Sequence, residues 1–140
     1  MTVQDIVAAN RYMVLATADV RGAPWATPVW FATEDHRHFF WVSDPNARHS
    51  RNIAARPEIA IAIFDSTVTP GDAAAVYMRA RAEQLAPGDI GIFARESARQ
   101  GLPVWGEADV TAPAKHRLYR AAASEHFTLG PRDERVPQSV

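Results

Sequence analysis

The chain contains no cysteine among its 140 residues. Disulfide bonds, thiolate catalysis and zinc sites built on cysteine sulfur are therefore excluded. An excess of charge of one sign is also missing, since the formal net charge is only -1. Proteins that bind nucleic acids in general present a strongly basic face, so we do not expect this class.

Long hydrophobic runs are absent as well. No apolar stretch approaches the length of a membrane span, and the N-terminus shows no basic segment followed by an apolar one. We therefore expect a soluble, cytoplasmic protein without a membrane partner. The 47% of hydrophobic and 22% of charged residues are typical of a globular domain.

The length predicts one domain over residues 1–140. We divide it into an N-terminal helix within 1–11, a barrel core over 12–85, a segment of helix, loop and closing strands over 86–130, and a loosely held polar tail over 131–140. In the first part, Thr2 is suited to cap a helix that continues to Asn10.

The strand predicted for Ala23 to Thr33 is unusual because it contains Pro24 and Pro28. Proline cannot donate a hydrogen bond to a neighbouring strand. Such a strand lies at a sheet edge, carries a bulge, or is left open for a ligand. The preceding strand starts at Tyr12 and turns at Gly22, which tolerates positive φ.

The remaining patterns predict further short strands and peripheral helices. Strands are expected at His38 to Val42, Ile59 to Ile63, Ala74 to Leu85, His116 to Ala122 and Glu125 to Leu129, and helices at Ala47 to Ala55 and Pro87 to Gln100. Many short strands at hairpin spacing indicate a small antiparallel β-barrel. The predicted fold class is α+β, mainly β.

A candidate phosphate site lies where the strand ending at Val42 runs through a turn into the helix at Ala47. A helix N-terminus offers unpaired N–H groups and the positive end of a dipole. Arg48 and His49 fall in its first turn, and Arg51 is nearby. These side chains favour a phosphate there, although Arg51 could instead pair with Asp44 or Glu58.

Four segments in this order and spacing point to one family. They are Leu15-Ala16-Thr17, Gly22-Ala23-Pro24, Thr27-Pro28-Val29-Trp30-Phe31, and Arg48-His49-Ser50-Arg51-Asn52-Ile53 followed by Arg56-Pro57. With them the chain resembles the pyridoxamine 5′-phosphate oxidase-like flavin-binding split barrels. Segments near the C-terminus resemble those of actinobacterial members.

The resemblance implies a split-barrel homodimer with FMN bound at the interface between the subunits. The segment from Thr27 to Ala32 would lie along the flavin ring, mainly through its backbone. Ser43 and the pair Arg48-His49 would hold the phosphate. The candidate cofactor-binding residues are Thr27, Pro28, Val29, Trp30, Phe31, Val42, Ser43, Arg48, His49, Ser50 and Arg51.

The sequence departs from the true oxidases of this family at four positions. They usually carry lysine at the position of His49, a hydroxyl residue at that of Ala47, and basic residues at those of Thr27 and Ala32. Each charge-assisted hydrogen bond contributes roughly 1.5–3 kcal/mol, so a phosphate should be held less tightly here. The C-terminal signature for pyridoxal phosphate is also missing, and vitamin B6 oxidation is not the leading prediction.

The leading hypothesis is an FMN-binding oxidoreductase that acts on a small molecule, with its catalytic residues unassigned. One alternative is a reductase that uses the deazaflavin cofactor F420, whose acidic tail needs further basic residues. The other is a non-catalytic dimer that binds flavin or heme. The histidines show no metal-ligand spacing, so no metal site is expected.

Three further residues leave alternatives open. Trp105 lies in a loop and packs either on its own barrel or over the partner's pocket. Arg79 and Arg81 share a strand face that is solvated, faces the other subunit, or forms part of a substrate pocket. Asn52 is expected to bond to the backbone at the helix end.

Overall fold

The computed structural model describes residues 1–140 and consists mainly of antiparallel strands. The strands are β1 (Tyr12–Ala18), β2 (Pro24–Trp30), β3 (His38–Ser43), β4 (Glu58–Phe64), β5 (Ala75–Gln84), β6 (Arg117–Leu129) and β7 (Arg135–Gln138). The helices are α1 (Val3–Ala8), α2 (Arg48–Ala55) and α3 (Gly91–Arg99), with short 3₁₀ turns at Pro87–Asp89 and Glu107–Val110. None of the helices has the length and apolarity needed to cross a membrane.

The strands form one sheet in the order β2-β1-β4-β5-β6-β3, with β7 added on β6. Just beyond β2, Ala32 and Phe40 of β3 exchange backbone hydrogen bonds of 2.9 and 2.8 Å. This single bridge joins the two ends of the sheet, whereas β2 itself pairs only with β1. The fold is the predicted split antiparallel barrel.

The prolines of β2 occupy positions that cost no ladder hydrogen bond. The N–H of Phe31 donates to Arg11, and the N–H of Asp19 donates to Ala23, so the odd-numbered residues of this hairpin bond to β1. In an antiparallel ladder the even-numbered residues then direct their N–H and C=O groups away from β1. Pro24 and Pro28 lie at such outward positions. Of the three alternatives for this strand, the structure shows a position at the edge of the sheet.

Alternating side chains fill the barrel. Ile59, Ile61 and Ile63 of β4 are buried, while Ala60 lies on the outer face. In β3, Trp41 is fully buried and stacks on Tyr119 at 5.7 Å. The helix α1 packs Val3, Ile6 and Val7 into the same core cluster. Its predicted cap is confirmed, since the Thr2 hydroxyl accepts the Asp5 N–H at 3.1 Å.

The C-terminal part differs from two predictions. The sequence predicts two short strands between His116 and Leu129, but the structure has one continuous strand, β6. Its register against β5 shifts between Arg79 and Ala80, so Ser124 forms a bulge that bends the strand without ending it. The tail is predicted to be loosely held, but β7 pairs with β6, and Arg135 lies 3.6 Å over the Tyr77 ring.

One buried hydrogen bond attaches α2 to the barrel. The Asn52 amide donates to the Thr17 hydroxyl of β1 at 3.0 Å, and both residues are buried. The Thr17 hydroxyl also lies 3.4 Å from the Trp25 carbonyl of β2. The expectation that Asn52 bonds to the backbone at the helix end is wrong, because its side chain points into the barrel instead.

We predict that Thr17→Val lowers the free energy of unfolding by about 1–3 kcal/mol, because the Asn52 amide is left buried without a partner. Urea denaturation measures the change. Thr69→Val is the control, since Thr69 is exposed in a loop and makes no side-chain hydrogen bond. Equal stability of both variants would show that the bond does not fix α2.

Candidate functional site

A groove of about 470 Å³ opens between the ends of β2 and β3, the first turn of α2, α3 and the loop that follows it. We call it the β2 groove. It is lined by Thr27, Pro28, Val29, Trp30, Val42, Ser43, Asp44, His49, Phe93, Ser97, Leu102, Trp105 and His116. Seven of the predicted cofactor-binding residues lie here, namely Thr27, Pro28, Val29, Trp30, Val42, Ser43 and His49.

One wall of the β2 groove is aromatic. Trp30 and Phe93 meet edge to face at 5.0 Å, and Phe93 and Trp105 meet at 5.8 Å. Trp105 also contacts the His116 ring at 5.5 Å. Of the two alternatives for Trp105, the structure shows packing on its own barrel. This wall offers a flat ring both apolar surface and aromatic edges.

The opposite end of the groove is polar. The His49 Nε2 atom lies 2.8 Å from the Ser43 hydroxyl, and both side chains are buried. Burial lowers the pKa of His49, which favours its neutral imidazole. The Asp44 carboxylate lies beside this pair and accepts the Asn46 N–H at 2.8 Å. This end supplies hydrogen bonds, but no permanent positive charge.

The other four predicted residues lie outside the β2 groove. Phe31 is buried in the barrel core against Phe39 at 5.7 Å. Ser50 lines a separate cavity of about 380 Å³, and its buried hydroxyl has no partner. Arg48 and Arg51 line a third cavity of about 410 Å³, next to Trp25. Arg51 pairs with neither Asp44 nor Glu58, because Glu58 binds Arg81 at 2.6 Å.

Helix geometry explains this separation. Successive residues of an α-helix are rotated by about 100°, so four consecutive side chains cannot face one groove. His49 points to the β2 groove, and Ser50, about 100° further round the helix, points to a different cavity. Arg48 and Arg51, which are three residues apart, share a third face.

The sequence analysis missed part of the groove lining. Phe93, Ser97 and Leu102 come from α3 and the loop after it, and His116 from the residue before β6. Only the isolated Trp105 signals this wall in the sequence. No group of three or more His, Asp or Glu side chains could hold a metal ion.

A sequence model of the family described as pyridoxamine 5′-phosphate oxidase matches residues 2–136. The chain belongs to this family. No curated protein matches the sequence of this family member significantly.

Solved structures share the fold of this pyridoxamine 5′-phosphate oxidase family member at low identity. A heme-binding protein from Mycobacterium smegmatis is 21% identical with a TM-score of 0.73, over 98% of this chain and 56% of that protein. The heme storage protein HutZ from Vibrio cholerae is 18% identical with a TM-score of 0.73, over 94% of this chain and 96% of HutZ. An F420 reductase is 22% identical with a TM-score of 0.60, over 82% of this chain and 87% of the reductase. The chain thus spans little more than half of the M. smegmatis protein.

We predict that the free energy of unfolding falls as the pH is lowered through about 6.5. The pKa of His49 is lowered in the folded chain, so between the folded and unfolded values the unfolded chain binds more protons. The stabilising contribution of His49 is fully present above the pKa that this histidine has in the unfolded chain. It is lost as the pH falls towards the pKa in the folded chain. Urea denaturation between pH 8 and pH 5 measures it.

The His49→Gln variant should show a weaker dependence over this range, because glutamine does not titrate. His116→Gln is the matched control, since His116 is exposed at the mouth of the same groove. If both variants keep the wild-type dependence, His49 does not cause it.

Proposed function

We propose that this protein binds FMN in the β2 groove and acts as an oxidoreductase on a small organic molecule. The observation that carries the proposal is the composition of the groove. An aromatic wall and an open strand edge lie at one end, and a buried hydroxyl-imidazole pair lies at the other.

The open edge of β2 supports the placement of the ring. Trp30 and Ala26 lie at even positions, so their backbone N–H groups point away from β1, and no strand pairs with them. Pro28, between them, offers only its carbonyl oxygen. Alternating donors and acceptors along this edge fit the polar edge of a flavin ring, and the N–H groups favour negative charge there.

The polar end of the β2 groove has hydrogen-bond donors that fit a phosphate group. Ala47 gives α2 no side-chain cap, so the first N–H groups of the helix are free to bind an anion. The Ser43 hydroxyl and the His49 imidazole add two further groups. A neutral His49 gives less attraction than a lysine would, which agrees with the weaker binding expected from the sequence.

Bound FMN would supply the redox chemistry. The chain would orient it, shield one face with the aromatic wall, and leave the other open to the substrate. We assign no role as general base to His49, because its Nε2 atom is already engaged by the Ser43 hydroxyl.

The outer face of β2, β1 and β4 supports a homodimer. Val14 lies between Pro28 and Ala62, and Ala16 lies between Ala26 and Ala60, in neighbouring rows. These small apolar side chains form a flat face, which we call the alanine face, beside the exposed Tyr12 and Phe64. Exposed apolar patches mark protein interfaces. A second copy bound here would lie next to the strand that forms the β2 groove.

We predict that FMN binds more tightly than riboflavin, and that Ser43→Ala removes most of this preference. The loss of one hydrogen bond to a charged phosphate should weaken FMN binding about ten-fold or more and leave riboflavin binding unchanged. Calorimetric titration of both ligands measures the ratio. Ser66→Ala, in an exposed loop, is the control.

Equal losses for FMN and riboflavin would show that Ser43 does not contact the phosphate. Failure of the wild-type protein to bind FMN at all would overturn the proposal.

We predict that Ala60→Glu converts the dimer into a monomer and weakens FMN binding, because it places a charge in the centre of the alanine face. Light scattering during gel filtration gives the mass. Ala98→Glu, on the exposed side of α3, is the control and should remain dimeric. A wild-type protein that elutes as a monomer would contradict the assignment of this face.

Heme binding and F420 binding are the alternatives. Heme binding is supported by two of the similar structures and by His116, an exposed imidazole at the mouth of the β2 groove. The F420 alternative is supported by the similar F420 reductase and by two arginines beside the groove. A Soret band on titration with hemin, or uptake of F420 without uptake of FMN, would favour the respective alternative.

A further inference from the structure

The cavity that Ser50 lines is formed by α2, the C-terminal end of β5 and the start of β6, and we call it the Ser50 cavity. Its volume of about 380 Å³ is within the range of small-molecule sites. None of its lining residues belongs to the β2 groove or to the cavity beside Trp25. The Ser50 cavity is therefore separate from the site proposed for FMN.

The hydroxyl of Ser50 is buried without a hydrogen-bond partner. The residue is only 2% exposed, and its Oγ atom makes no hydrogen bond. Leaving such a hydroxyl unpaired costs the folded chain stability, so native proteins rarely keep one without a reason. Because Ser50 lines the cavity, a ligand bound there would supply the missing bond.

A second hydroxyl, that of Tyr119, lies beside Ser50 in the same cavity. Burial raises the pKa of Tyr119, so this hydroxyl keeps its proton. Its hydrogen bond to the Gln84 carboxamide oxygen is long, at 3.5 Å. A hydroxyl can both donate and accept. The two hydroxyls therefore offer a ligand a donor and an acceptor next to each other.

The two charged side chains of the lining, Arg81 and Glu83, already have partners. Arg81 binds Glu58 at 2.6 Å, and Glu83 binds Arg120 at 2.5 Å. A charged ligand would have to compete with these ion pairs while it lost its own hydration. The Ser50 cavity therefore favours an uncharged ligand.

Most of the remaining surface is apolar. Pro45 precedes α2, Pro57 follows it, and Ile53, Ala54 and Ala82 complete this part of the lining. Such a surface suits a small ring that needs few hydrogen bonds. A sugar would leave several of its hydroxyl groups unpaired against these side chains.

We propose that the Ser50 cavity binds a small uncharged heterocycle that carries an amide group, as nicotinamide and the pyrimidine bases do. The amide N–H and C=O groups would bond to the hydroxyls of Ser50 and Tyr119, and the ring would lie against the apolar surface. This binding does not depend on a cofactor in the β2 groove, because the two sites share no residue.

Titration of the wild-type protein with nicotinamide, uracil, nicotinate and glucose, followed by NMR, tests the class of ligand. Nicotinate has the ring of nicotinamide but carries a carboxylate. We expect nicotinamide or uracil to bind at least about ten-fold more tightly than nicotinate, because the carboxylate is desolvated without a free cation to meet it. Glucose is the polyol control and should not bind measurably.

A pair of neighbouring alanines in α2 tests the position of the site. Ala54 and Ala55 are both exposed, but Ala54 lines the Ser50 cavity and Ala55 lines the cavity beside Trp25. Ala54→Phe should abolish binding of the tighter probe by filling the cavity, whereas Ala55→Phe is the matched control and should leave it unchanged. Neither alanine lines the β2 groove, so the pair also identifies a probe that binds there instead.

The Ser50→Ala variant distinguishes a hydroxyl kept for a ligand from one that stabilises the fold. Its removal should weaken binding of the probe about three-fold or more through the loss of one hydrogen bond. If the hydroxyl is unpaired in the free chain, the midpoint of urea denaturation should stay the same or rise. If Ser50 instead bonds to Tyr119, the midpoint should fall.

Four outcomes would overturn the inference. They are the absence of binding by both nicotinamide and uracil, binding of nicotinate or glucose as tight as theirs, equal effects of Ala54→Phe and Ala55→Phe, and a lower denaturation midpoint of Ser50→Ala. The last would show that the Ser50 hydroxyl is already paired within the chain.

Discussion

The hydrogen bond from Asn52 to Thr17 determines which side chains of α2 face each cavity. The helix packs Ile53 into the barrel core, and Asn52 next to it bonds to β1, so both residues hold α2 in one rotation about its axis. Turning the helix away would leave a buried amide without a partner, which is costly. With Asn52 directed at β1, His49 must face the β2 groove, and Arg48 and Arg51 must face the cavity beside Trp25.

This orientation places the buried hydrogen-bonding side chain of the first turn, His49, in one cavity and the charged side chains, Arg48 and Arg51, in another. The β2 groove receives Ser43 and a His49 whose pKa is lowered by burial, so α2 contributes no permanent cation to its polar end. Arg48 and Arg51 remain exposed in the cavity beside Trp25, where they keep their hydration and Arg48 stacks on the Trp25 ring. Burying a permanent cation beside Ser43 would carry a larger desolvation cost. In this chain a hydroxyl and an imidazole occupy the buried position at this helix end.

The elements of the fold could be read from the sequence because each depends on local patterns. The two prolines predict an edge strand, and the alternation of isoleucine and alanine in β4 predicts its two faces. The bulge at Ser124 and the pairing of β7 depend on distant strands, so local patterns missed them.

The site was harder to predict than the fold, because Arg48 to Ser50 look like one cluster in the sequence but point in different directions on the helix. Strand alternation already implies that Phe31 shares the inward face of Val29.

The distribution of charge bears on the identity of the ligand. In a site built for FMN alone, the cations would be most effective at the single phosphate. In the proposed FMN complex the groove would offer hydrogen bonds to that phosphate, and the guanidinium groups of Arg48 and Arg51 would lie one helix face further along. Selection between cofactors depends on differences in affinity, not on total affinity. The arginines beside the groove are therefore the feature on which FMN and the F420 alternative differ, because only F420 has an acidic tail that could meet them.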